Sequence, residues 1–138
     1  MQKSGRKLTP TRLETWAMPG VPDVVMADEF GRFHFIELKA TAGRAVDLRP
    51  HQVAWLSNHG HASVWVLVKK HKTKNEPEQM YLYHGRDAVD LKMEGLKRVP
   101  YHHVTSQEAQ KEIFNVLAPT KLTTIPYTTH NYGHNRFV

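Results

Sequence analysis

From Val21 to Ala27 the chain is apolar except at Pro22 and Asp23, and after "DEFGR" at 28–32 it resumes as "FHFIEL" at 33–38. Alternation places Phe33, Phe35 and Glu37 on one face of this second run, with His34, Ile36 and Leu38 on the other. Gly31 can adopt positive φ, so the pattern predicts two strands joined by a tight turn. "TAGRAVDLRP" at 41–50 reads as a loop whose Pro50 suits the first turn of a helix. The helix body, "HQVAWLSNHG", turns Val53, Leu56 and Trp55 inward and stops at Gly60. "ASVWVLV" at 62–68 is rich in β-branched residues and predicts a strand; a lysine-rich loop separates it from a further strand, "MYLYHG", at 80–85. "RDAVDLKMEGL" predicts a short helix. A longer one follows at 106–118, with Ser106 as N-cap and Ala109, Ile113, Phe114 and Leu117 on one face. Residues 121–138 show no sustained period and read as an irregular tail or an arm packed on another subunit. The order hairpin, helix, strand, strand, helix is a mixed α/β pattern in which the first helix returns the chain to a neighbouring strand of one sheet.

At 138 residues the chain is expected to form one domain. It has no cysteine, so disulfides and zinc-thiolate sites are excluded, and any metal must be held by oxygen or imidazole. No apolar run approaches membrane-spanning length and no apolar stretch follows the basic start, so a cytoplasmic protein with no membrane partner and no secretory signal is expected. Lys and Arg outnumber Asp and Glu by 19 to 13, beside ten histidines, and the pI of 9.7 favours an anionic partner such as nucleic acid. The same charge also suits a domain that it merely keeps soluble. Residues 1–12 concentrate it in Lys3, Arg6, Lys7 and Arg12, with no acid, and read as a basic arm.

The charges inside the apolar runs change the picture most. Asp23 and Glu37 lie 14 residues apart across a strand-turn-strand and can face each other on adjacent strands. Two bare carboxylates there repel, and a hard divalent cation removes that cost. Lys39, two residues beyond Glu37, points to the same face, where its ammonium can hold a metal-activated water or neutralise charge building on a phosphate. Taken singly, Asp23 also suits a turn, and Glu37 with Lys39 an exposed ion pair of little energetic weight.

Pro22-Asp23 followed by Glu37-Leu38-Lys39 resembles the PD-(D/E)xK nuclease signature. Gln52, Trp55-Leu56, Gly60, the apolar strand from Val64 to Val68, and Gly20 before the Pro-Asp are similar to its VRR-NUC branch, so that the likeness covers residues 12–68. The resemblance implies a restriction-endonuclease-like core, a mixed β-sheet with flanking helices. It also implies a nuclease that depends on Mg²⁺, with Mn²⁺ substituting, and a dimer like the stand-alone phage and bacterial members that resemble Holliday-junction resolvases. Asp23 and Glu37 then become metal ligands, with the Leu38 backbone carbonyl as a further oxygen, and Lys39 the water-orienting or charge-neutralising group. The family's upstream acid corresponds to Glu14, a departure because Pro10 and Pro19 leave little room for a long first helix.

Under that reading Gln52 points from the start of its helix to the metal site, and Arg44 and Arg49 hold the scissile strand. Arg12, His51, Lys69 and Lys70 complete the DNA-binding set, while His59 and His61 flank the same helix as His51. Trp55 and Trp65 belong to the core, and Trp16 suits either packing or base stacking. The expected activity is endonucleolytic hydrolysis of phosphodiesters in branched DNA. A non-catalytic nucleic-acid-binding module with the same fold, and a sequence-specific restriction-type nuclease, are the alternatives.

Overall fold

The hairpin of residues 24–41 is fixed by its turn. Asp28 accepts hydrogen bonds from the backbone N–H of Phe30 and of Arg32, at 2.9 and 3.0 Å, and Gly31 takes φ 81°, a left-handed conformation that side-chain-bearing residues rarely adopt. A computed structural model describes residues 8–13, 20–105 and 113. The turn joins β2 (Val24–Asp28) to β3 (Phe33–Thr41), an antiparallel pair in which Val24 lies opposite Ile36. β3 is longer than the apolar pattern suggests, so Lys39 lies within it.

Pro50 begins α1 (Pro50–Asn58), whose missing N–H costs nothing in a first turn. The helix carries the chain over the sheet to β4 (Val64–Lys70), parallel to β3, with Glu37 opposite Val66 and Lys39 opposite Val68. β5 (Gln79–His84) is antiparallel to β4, and α2 (Ala88–Glu94), flanked by 3-10 turns at Gly85–Asp87 and Gly95–Lys97, leads to β6 (His102–Thr105) beside β5. With β1 (Leu8–Arg12) antiparallel to β2, the described residues form one six-stranded mixed sheet in sequence order.

Both faces are covered. Val64, Val66, Val68, Tyr81 and Tyr83 pack under Val46 and Leu48 of the loop before α1, Leu56 of α1 and Leu91 of α2. Met26, Ile36, Trp65, Leu82 and Val104 form the other layer with Ile113, which is helical and buried. Double coverage is why β4 reads as an unbroken apolar run.

Two elements differ from expectation. Residues 8–12, read as part of a basic arm, form β1; Pro10 is compatible because a strand with one paired side can spare an N–H. β6 was not foreseen, since "HHVT" is short and polar and takes its strand state from pairing with β5. Glu14, Trp16, the tail at 121–138 and, apart from Ile113, the helix expected at 106–118 lie outside the described residues.

Candidate functional site

The antiparallel register of β2 and β3, continued one residue past Val24 and Ile36, sets Asp23 opposite Glu37. Asp23 is held from both sides. Its carbonyl accepts the Leu13 N–H at 2.9 Å, and its Oδ2 accepts the Leu38 N–H at 3.2 Å. The segment leading to it packs directly on α1: Gly20 has φ 97°, and a Cβ there would run into the His51 carbonyl. Only glycine satisfies both conditions.

Glu37 is 2% exposed. Gln52, in the first turn of α1, donates from Nε2 to Glu37 Oε2 at 2.8 Å. Its Oε1 accepts from Lys39 Nζ at 3.1 Å and from the Arg49 N–H, at the start of the helix, at 3.0 Å. Lys39 Nζ is also 3.5 Å from Glu37 Oε2. The amide therefore bridges acid and lysine while capping its own helix, and its two donors and one acceptor fix which way round it sits.

Glu37 Oε1, by contrast, is buried with no hydrogen-bond partner among the described residues. Burial first, and the facing Asp23 carboxylate second, push the Glu37 carboxyl up to about 7, with Lys39 offsetting only part of the rise. A buried carboxylate with one bare oxygen and a like charge opposite gains from whatever positive charge arrives, proton or cation.

No family model, curated protein or solved structure matches this chain. The chemistry of the site is therefore read from its own atoms. Asp23 and Glu37 offer carboxylate oxygens on facing positions, which suits a hard cation, and the bare Oε1 is the atom such an ion would satisfy. Among the described residues no group of three or more His, Cys, Asp or Glu gathers as a metal-binding set, and Glu14 is not among those residues.

The other expected contacts divide by position. Arg12 is exposed at the end of β1, opposite Val24 and so one residue from Asp23. Arg49 and His51 are exposed at the start of α1, beside Gln52. Arg44 is exposed in the preceding loop, where its carbonyl accepts the Leu96 N–H. Lys69 and Lys70 are already paired, with Glu78 at 3.1 Å and Glu76 at 3.2 Å, and Lys70 is buried. His59 stacks on Trp55 and its Nδ1 bonds the Trp55 carbonyl, and His61 is exposed. Trp65 is buried and Trp55 packs against the core, as their apolar contexts suggest.

Sequence reasoning missed that Gln52 grips Glu37 and Lys39 together. A glutamine three residues after the helix start, the position of the capping box, was the available signal.

Proposed function

We propose that the protein is a divalent-metal-dependent nuclease that hydrolyses phosphodiester bonds at the Asp23, Glu37 and Lys39 site. The observation that carries this reading is the buried Glu37 Oε1, without a partner among the described residues, on the residue opposite Asp23, with Lys39 held beside Glu37 by Gln52. The order of strand, turn, strand, helix and parallel strand from β2 to β4 supports a restriction-endonuclease-like core. It agrees with the PD-(D/E)xK and VRR-NUC-like resemblance of the same residues.

Mg²⁺, or Mn²⁺ in its place, would be held by Asp23, Glu37 and the Leu38 carbonyl, with Glu14 as a further ligand; when bound it supplies Lewis acidity and a more acidic water. Lys39, fixed through Gln52, sets its ammonium beside the acids, where it orients the attacking water and offsets charge on the phosphoryl oxygens. Water adds to phosphorus as the P–O bond to the leaving group breaks, and a proton ends on the departing oxygen. Arg12, Arg49 and His51 surround the site and bind phosphates, a sequence-independent contact that suits recognition of DNA shape. Branched DNA cut by a homodimer, one strand per active site, is the substrate and assembly this reading favours.

The test is cleavage of labelled four-way junction, flap and linear duplex DNA with Mg²⁺, Mn²⁺ or chelator, comparing wild type with Lys39→Ala and Asp23→Asn. Metal-dependent cutting that both variants lose by at least a hundredfold is the expected outcome. Binding without cutting under either metal would overturn the catalytic reading and leave a nucleic-acid-binding module.

A further inference from the structure

Alternation along β3 puts His34 on the face of the sheet opposite the Glu37 site, the face that holds Met26, Ile36 and Trp65. Three side chains meet there from three parts of the chain. Asp28 ends β2, His34 lies in β3, and Ser63 stands just before β4. His34 Nε2 is 3.0 Å from Asp28 Oδ2, and its Nδ1 is 2.6 Å from Ser63 Oγ. Trp65 Nε1 donates to the same Oγ at 2.8 Å.

The groups at the two ends fix each proton between them. Burial pushes the Asp28 carboxyl up, but the Arg32 and Phe30 N–H groups, His34 and the Arg32 guanidinium bring it below its usual value, so it is a carboxylate. A carboxylate only accepts, which puts the imidazole proton on Nε2 and leaves Nδ1 bare. Burial holds the His34 pKa below the ordinary histidine value despite Asp28, so the ring is neutral at neutral pH. An indole N–H only donates, so Ser63 Oγ accepts from Trp65 and sends its own proton to Nδ1. Hydroxyl, imidazole and carboxylate thus stand in the order that turns a serine oxygen into a nucleophile.

The accessible end of this relay is the oxygen end. Asp28 and His34 are buried, whereas Ser63 is half-buried and follows the exposed His61 and Ala62. The Phe35 N–H donates to the Ser63 carbonyl at 2.9 Å, so the backbone already fixes the serine against β3. Trp65 stacks on His84 at 4.4 Å and lies 5.3 Å from the ring of the exposed Tyr101, an aromatic surrounding that suits an uncharged electrophile.

We infer that Ser63 is an acyl-accepting nucleophile with His34 as its general base, a second reactive centre on the far side of the sheet from Glu37. Its substrates are activated carboxylic esters. Ser63 Oγ bonds to the carbonyl carbon as its proton passes to His34 Nδ1. The bond to the leaving oxygen then breaks, that oxygen carries the proton away, and an acyl ester of Ser63 remains.

Reaction with p-nitrophenyl acetate in the presence of chelator, followed by peptide mapping of acetylated residues by mass spectrometry, tests this. Ser57, exposed in α1, is the reference within the same molecule. Ser63 should be acetylated about a hundredfold faster than Ser57, the scale that a positioned general base supplies, and His34→Gln should remove that advantage. Comparable rates at the two serines in the wild type overturn the inference, as does an advantage that persists in a His34→Gln variant whose circular dichroism is native. Should that variant fail to fold, the wild-type ratio decides alone. Chelator strips cations from the Glu37 site, so the outcome does not depend on whether the chain is a nuclease.

Discussion

Glu37 makes one contribution to stability that depends on pH. Its carboxyl is held up at about 7, against 4.5 when unfolded, by burial and by Asp23, so the folded chain holds the proton more tightly. This contribution is therefore fully present below pH 4.5 and is lost as pH rises through 7; it is on the order of 3 kcal/mol. His34 has the opposite sign. Burial pushes its pKa down despite Asp28 beside it, so it favours folding above the ordinary histidine range and disfavours it as pH falls. Asp28 acts in the same direction: burial pushes it up, but hydrogen bonds from the Arg32 and Phe30 N–H groups, the Arg32 guanidinium and His34 bring it below its usual value. The difference between wild type and Glu37→Gln isolates the one group. Urea unfolding from pH 5 to 8 should show wild type losing stability relative to the variant as pH rises; parallel curves would mean that Glu37 is already ionised in the folded state. The Glu37 position itself was legible, because an acid inside an alternating apolar run must face something. Its bare oxygen was not, because that depends on which donors α1 brings.

At the scale of elements, α1 is the piece that assembles the site, and its seat depends on a residue outside it. Gly20 lets the segment before Asp23 lie against the His51 carbonyl with φ 97°. Gly20→Ala meets a left-handed conformation and a fixed backbone oxygen at once. It should cost about 1–3 kcal/mol in chemical denaturation and lower the proposed cutting activity more than Ala substitutions on the exposed side of α2. An unchanged midpoint would show that the segment shifts freely. Turn and helix-start chemistry made β2, β3, α1 and β4 readable from sequence, because Gly31, Pro50 and the β-branched run act on their own neighbours. β1 and β6 were not readable, since "LTPTR" and "HHVT" have weak strand preference and become strands through the partners that supply their hydrogen bonds.

For the whole molecule, a net charge of +6 matters by where it is free. Lys69 and Lys70, at the end of β4, are paired with Glu78 and Glu76, whereas Lys72 and Lys74 are exposed on the loop that follows. Replacing both Lys72 and Lys74 by Ala should lower the slope of log affinity against log salt for single-stranded DNA by about 1.4, as expected for two lost phosphate contacts. Lys69→Ala should change it less, and equal slopes for all variants would place the strand elsewhere.

By itself the sequence determined the hairpin, the crossover helix, the facing of Asp23 and Glu37 and the side on which Lys39 lies. Each follows from a strand's twofold period and from turn residues acting within a few positions. Only the tertiary structure decided that Gln52 ties Glu37 to Lys39, that Glu37 keeps one oxygen bare, that two lysines are already matched, and that Ser63 meets His34. These depend on which remote strands and helices become neighbours, and a register between distant segments is set by the packing of the whole sheet rather than by any local pattern.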